Sequence, residues 1–258
     1  MLRRTSNFIV GMLAVGLLSA TLVAQPPAAA RYDSQIQSAV THKLAAKKQF
    51  RDVQSSVEDG IVTLTGTVDL FQRKLDSAKL ARKTANVEGV RNLITIAGPN
   101  ISDEQLEQKL AQKLTYVRVG YDNTFDYFAL GVKDGVVTVE GRDRTGMCRD
   151  EALADIANMP GVKDVIANIS VAPASTFDDG LRFRTAQAIY RDPVPCKYAI
   201  DPARPIRIIV ENGHVTLYGL VDSTMDKTVA GLRAGQIPGA FSVENKLVVE
   251  KGAGQSGM

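Results

Sequence analysis

Apolar and polar residues alternate singly from Ile61 to Val68, with Val62, Leu64 and Val68 on one side and Thr63, Thr65 and Thr67 on the other. A period of two is that of a strand with one packed face and one wet face. Val137 and Val139 repeat the apolar side further on, and Val215, Leu217 and Val221 repeat it again. Each run follows Asp59-Gly60, Asp134-Gly135 or Asn212-Gly213, dipeptides that accept the positive φ angles of a two-residue type I′ hairpin. Beyond each run the spacing becomes helical: Leu75, Ala78 and Ala85; Leu153, Ile156 and Ala157; Met225, Val229 and Leu232. Gly89, Gly161 and Gly239 fit the end of that helix. A closing strand comes next, plainest in Val165, Ala167, Ile169 and Val171 and in Val243, Asn245, Leu247 and Val249. Upstream of the hairpins, Ile36, Val40 and Leu44, then Leu106, Leu110 and Leu114, mark a further helix, with Ser102 and Gln105 as a capping box.

The chain is therefore repetitive. Asp59-Gly60-Ile61-Val62-Thr63-Leu64-Thr65-Gly66 recurs as Asp134-Gly135-Val136-Val137-Thr138-Val139-Glu140-Gly141 and as Asn212-Gly213-His214-Val215-Thr216-Leu217-Tyr218-Gly219, in steps of 75 and 78 residues. Counted from the last glycine of each motif to Gly89, Gly161 and Gly239, the gaps are 23, 20 and 20 residues. Three tandem modules are expected at 31–98, 101–172 and 176–250, with a tail at 251–258. The order per module is helix, strand, strand, helix, strand. The expected class is α+β, two helices covering one face of a three-stranded sheet.

The motif D/N-G-x-V-T-L-x-G, followed by a helix, G-V and a closing strand, resembles the BON domain, the module of osmotically inducible periplasmic proteins and related outer-membrane proteins. The resemblance covers Asp33 to Ala97, Ser102 to Ala172 and Thr176 to Glu250. It implies an envelope protein that binds phospholipid surfaces or other envelope components and has no catalytic residues or cofactor. Three departures stand out. The first copy has a shortened closing strand (Leu93 to Ala97), and the second has an aromatic-rich insertion (Tyr116, Tyr121, Phe125, Tyr127, Phe128). The third has a Pro-rich insertion from Asp192 to Pro205 and Ala240 in place of Val, which makes it the module whose geometry is hardest to foresee.

Composition narrows the chemistry. The 258 residues include two histidines, His42 and His214, and no tryptophan, which leaves little material for His-based metal sites or proton transfer. No G-x-G-x-x-G or G-x-x-x-x-G-K-S/T loop occurs. Asp103-Glu104 and Asp178-Asp179 look like paired carboxylates, but both fall in the first turn of an expected helix, where negative charge favours the dipole. Neither catalysis nor a small-molecule substrate is expected. Without Arg3 and Arg4 the chain has 29 basic and 28 acidic residues, too even a balance for a nucleic-acid binder. The charge is unevenly divided: 11 basic and 7 acidic residues in 31–98, 8 and 12 in 99–174, 10 and 9 in 175–258. Lys43, Lys47 and Arg51, spaced i, i+4, i+8, with Lys48 adjacent, form the candidate contact for anionic lipid. A solvated helix face, or docking of one module on another, would use the same charges.

Arg3 and Arg4, the uncharged stretch Phe8 to Ala24 and the small residues Ala28 to Ala30 read as a signal peptide, 1–30, with cleavage after Ala30; a retained anchor is the alternative. Export implies a periplasmic protein, with a peripheral seat on the outer membrane open to it. It also makes a disulfide between Cys148 and Cys196 an option beside two free thiols. The aromatic run Tyr116 to Phe128 reads as a strand with one buried face or as an interfacial membrane foot. The leading functional expectation is non-catalytic binding of phospholipid surfaces or other envelope components. The rival is a protein-interaction or chaperone-like envelope stress protein.

Overall fold

The structure, a computed structural model, describes residues 32–117, 122–201 and 204–250. The leader, the side chains of Tyr116 and Tyr121, and the 251–258 tail lie outside the described residues. Within them, the expected unit is built three times.

In the first module, helix α1 (Asp33–Ala45) leads through a 3₁₀ turn at Lys48–Phe50 into strands β1 (Val53–Glu58) and β2 (Ile61–Val68), helix α2 (Phe71–Arg82) and a closing strand in two pieces, β3 (Gly89–Asn92) and β4 (Thr95–Ile96). The second contains α3 (Asp103–Val117), a short α4 (Asp122–Phe125), β5 (Tyr127–Lys133), β6 (Val136–Asp143), α5 (Met147–Ala157) and β7 (Asp164–Val171). In the third come α6 (Thr176–Tyr190), a 3₁₀ turn at Pro195–Ala199, β8 (Arg207–Glu211), β9 (His214–Tyr218), β10 (Leu220–Val221), α7 (Thr224–Gly235), β11 (Ser242–Asn245) and β12 (Val248–Val249). The hairpin is antiparallel and the closing strand lies parallel to its second strand, which is central.

Turn chemistry sets the hairpins. Asp59 and Gly60 have φ of 50° and 76°, Asp134 and Gly135 55° and 78°, Asn212 and Gly213 52° and 79°, the left-handed pair a type I′ turn needs. The motif's last glycine answers to close approach as well as to φ, which is positive at Gly66 and Gly219, 109° and 137°. A Cβ at Gly66 would lie 2.0 Å from the Asp52 carbonyl oxygen, and one at Gly141 2.0 Å from that of Tyr127.

The parallel register corrects the second anchor. Ile61 pairs with Gly89, Val136 with Asp164 and His214 with Ser242, so the structural counterpart of Gly161 and Gly239 is Asn86. These three residues are the ones with positive φ, 63°, 99° and 95°, whereas Gly89 begins a strand and stops no helix. Counted to Asn86, the gap after Gly66 is 20 residues, the same as in the other two modules. The third module, for all its insertion and Ala240, keeps this geometry.

Each module has its own apolar core between helices and sheet. Ile36, Val40, Leu44, Val62, Leu64 and Ile94 build the first, Leu106, Leu110, Val137, Val139 and Ile156 the second, and Leu181, Ile189, Ile208, Val215, Leu217 and Leu247 the third. The second helices of modules one and three face inward with small residues, Ala78 and Ala81 or Ala230 and Ala234, while Leu75, Met225 and Leu232 are exposed. A short side chain lets helix and sheet close on each other, so the larger apolar residues are left on the outer face.

Candidate interaction surfaces

One arrangement occurs in every module. The first turn of the first helix carries an aspartate whose two carboxylate oxygens accept the two backbone N–H groups of the hairpin turn. Asp33 takes Asp59 and Gly60 at 2.9 and 2.8 Å, Asp103 takes Asp134 and Gly135 at 2.7 and 2.9 Å, and Asp178 takes Asn212 and Gly213 at 2.9 and 2.8 Å. The sequence reading placed Asp103 and Asp178 at helix starts, where they are. It missed that these carboxylates bind the turn as an anion would. The available signal was that an Asp at this place precedes all three D/N-G turns, Asp33 included. At the helix starts, Ser102 and Ser175 accept the N–H groups of Gln105 and Asp178.

The basic candidates of module one are not one helical stripe. Helix α1 ends at Ala45, so Lys47 lies in the turn that follows, Lys48 in the 3₁₀ segment, and Arg51 just after it. Lys43 donates to Thr84 Oγ1 at 2.9 Å, which brings the last turn of α1 beside the end of α2. Lys79, Arg82 and Lys83 lie on that end of α2, all exposed. Lys47 stands 6.0 Å from the Phe50 ring centre, and Arg51 pairs with Asp52 at 3.2 Å. The gathering is thus made by two helix ends rather than by one face.

Modules meet through aromatic side chains. Phe71, from the first turn of α2, is buried in the core of module two. Phe125, from the aromatic insertion, is buried in the core of module three and meets Phe183 edge-on at 5.3 Å. Tyr127 stacks on Tyr218 at 4.0 Å, and Arg207 donates to the Asp126 carbonyl at 3.1 Å. The strand expected over the aromatic run is confined to its last two residues, Tyr127 and Phe128, which open β5; its other described aromatic residues belong to the end of α3 and to α4, whose Phe125 makes contact with the next module. Outside these junctions Phe177 and Phe241, 48% and 72% exposed, stack on each other at the turn end of module three. His214 is exposed there, with its Nδ1 2.7 Å from Ser242 Oγ.

Cys148 and Cys196 are not joined to each other in the structure. Cys148 lies in α5 beside the buried Asp126 and Asp143, and Cys196 bonds the Pro193 carbonyl in the Pro-rich insertion. Donor atoms of Asp126, Asp143 and Cys148 come within 4.8 Å of one another. The carboxylates already have structural work: Asp126 accepts the Arg144 N–H, and Asp143 accepts those of Thr145 and Arg149 at the start of α5.

The Pro-rich insertion ties itself down with buried charge. Asp226 is 2% exposed and receives Ser223, Lys197 and Tyr198. Burial pushes its carboxyl up, but these three bonds together outweigh burial and hold it below the usual carboxylate range. Lys197, bonded to Asp222 and Asp226, is held above the usual lysine range. Tyr190, desolvated while donating to the Ile206 carbonyl, is pushed up to about 12. The shifts of Asp226 and Lys197 follow from structural pairing and that of Tyr190 from burial. Among the described residues no helix is long and apolar enough to cross a membrane.

The family model of the BON domain matches residues 32–98, 102–173 and 197–251. In the third module the match begins inside the Pro-rich insertion, although α6 holds the place that α1 and α3 hold in theirs. No curated protein sequence matches the chain. Among solved structures, the C-terminal domain of CdsD, the structural protein of the Type III secretion system of Chlamydia trachomatis, is 17% identical, with 83% of this chain and 96% of that one covered and a TM-score of 0.24. A second structure of CdsD is 15% identical, with 84% and 94% covered and a TM-score of 0.23.

Proposed function

Because this chain belongs to the BON domain family in all three of its modules, we propose that it is a non-catalytic protein of the bacterial envelope that binds anionic phospholipid surfaces through module one. The observation that carries this reading is the Lys43–Thr84 bond, which brings the end of α1, followed by the exposed Lys47, Lys48 and Arg51, to the end of α2 that carries the exposed Lys79, Arg82 and Lys83. Long basic side chains on a folded edge meet a negative surface without burying charge. Each contributes roughly 1 kcal/mol near an anionic leaflet, an attraction that fades within a Debye length. Module one is also the one with a large positive excess, 11 basic residues against 7 acidic.

The location in this reading is the periplasm, reached by way of the 1–30 leader, with the modules bounded as 31–98, 101–172 and 176–250. A role in osmotic stress would follow from holding envelope surfaces together. The protein-interaction reading has its own support in the exposed Phe177–Phe241 pair. Sedimentation with anionic vesicles over a salt series separates the two: headgroup attraction weakens as salt rises, and binding through the aromatic pair does not.

A further inference from the structure

Among the described residues every module leaves the outer side of its closing strand unpaired, and two of the three interrupt it. In module one Asn92 turns its side chain to the Lys74 carbonyl and to the Ile94 N–H, at 2.7 and 3.3 Å, and the strand breaks between β3 and β4. In module three Asn245 does the same with the Lys227 carbonyl and the Leu247 N–H, at 2.7 and 3.2 Å, and the strand breaks between β11 and β12. A broken edge is a poor template for another strand. The register places Ala167 at the corresponding position of module two, and there β7 runs unbroken for eight residues, Asp164 to Val171.

That edge is long, regular and apolar. Asp164 is its one charged residue. Ile166 and Val171 are 48% and 39% exposed, and Val165 and Ile169, which pack against the module's core, are half-buried. Among the described residues β7 pairs with β6 alone. Module one meets module two at Phe71, at Ile96 and at the Gly161 loop that precedes β7, and module three meets it at Tyr127 of β5 and Arg142 of β6, so neither junction uses the outer side of β7. Ala172 donates to the Asp143 carbonyl, so in a parallel ladder the N–H groups of Ala167 and Ile169 turn away from β6. The opposite edges differ, because α1, α3 and α6 pack against β1, β5 and β8.

We propose that β7 pairs antiparallel with β7 of a second copy of this chain, joining two three-stranded sheets into one of six strands. Charge selects the antiparallel sense: a parallel pair would set Asp164 beside Asp164, while the antiparallel pair sends the two carboxylates to opposite ends. A two-fold axis through Ala167 or Asn168 keeps each strand's helix-covered face on the same side. Centred on Ala167, it sets Val165 opposite Ile169 twice, so the half-buried core residues complete their burial against each other. Asn168, exposed on the outer face, falls on or next to the axis in either register.

The test uses the full chain. Sedimentation velocity from micromolar to hundreds of micromolar should show a monomer giving way to a dimer, and amide exchange at Ala167 and Ile169 should slow as the dimer forms. Asn168→Asp and Asn168→Lys each set like charges together at the axis, and each should raise the dimer dissociation constant at least tenfold while circular dichroism stays unchanged. An equal mixture of the two variants should dimerise again. A chain that stays monomeric throughout, a dimer that neither variant weakens, or Ala167 and Ile169 amides that exchange at one rate at every concentration would overturn the proposal.

Discussion

The buried carboxylate of Asp178 accepts the backbone N–H of Gly213 at 2.8 Å, fastening the start of α6 to a hairpin turn 35 residues further on. Its other oxygen accepts the N–H of Asn212. One side chain thereby fixes the helix against the sheet end and satisfies both donors of a turn whose glycine is buried. Hydrogen bonds to a charged group contribute about 1.5 to 3 kcal/mol, and a buried donor left alone is costly. Asp178→Ala should destabilise the third module by about 2 to 4 kcal/mol, read as a lower urea midpoint with unchanged slope. Asp33→Ala, at a more exposed site, should have the smaller effect. Equal or negligible losses at both sites would show that the clamp adds little.

Two glycines of one hairpin should respond in opposite ways. A Cβ at Gly141 would lie 2.0 Å from the Tyr127 carbonyl, between two backbones that cannot part without breaking the β5–β6 pairing, whereas one at Gly131 meets nothing within 4 Å. Gly141→Ala should destabilise by at least about 2 kcal/mol. Gly131→Ala should be neutral or stabilising by up to about 1 kcal/mol, through the unfolded chain. Thermal unfolding of the two variants side by side checks this.

Acid should loosen the third module through its carboxylates. Asp226, despite its burial, and Asp192, bonded by the Val194 N–H and by Arg233, are both held below their ordinary value of 3.8. A group whose folded pKa is depressed contributes stability that is fully present above the unfolded value and is lost as pH falls through the folded one. Stability of this module should therefore drop as pH falls below about 4. Asp226→Asn should be less stable at neutral pH and show a shallower decline in acid. Denaturant melts across that window, followed by exchange at α6 and α7, give the comparison.

How much of this was legible depended on the range of the interaction that fixes each feature. The hairpins were, because Asp59-Gly60 and its two counterparts state their φ requirement locally. So was the apolar side of each central strand, because alternation at Val62 and Leu64 is a property of neighbours. Helix ends were not. The spacing of Lys43, Lys47 and Arg51 continues a helical period that the chain abandons at Ala45, where Phe50 must turn into the core. The place of Asn86 was hidden because asparagine and glycine both tolerate positive φ, so matching on glycine selected Gly89. The Asp178 clamp joins residues 35 apart, and the burial of Phe71 and Phe125 in neighbouring modules is set by tertiary docking, which no local pattern encodes.

The central claim is that module one meets anionic lipid through its exposed basic residues, and vesicle flotation with the triple variant Lys47→Gln, Lys48→Gln, Arg51→Gln tests it most directly. None of the three lies within α1 or α2, and all three are exposed, so the fold should persist in circular dichroism. At roughly 1 kcal/mol for each charge, the loss should be about 2 to 3 kcal/mol, on the order of a hundredfold in affinity at low salt. The account predicts that the unaltered chain floats with anionic vesicles at low salt, is released as salt rises, and stays behind when the three residues are changed. A variant that floats as well as the unaltered chain, or an unaltered chain that does not float at all, would contradict it.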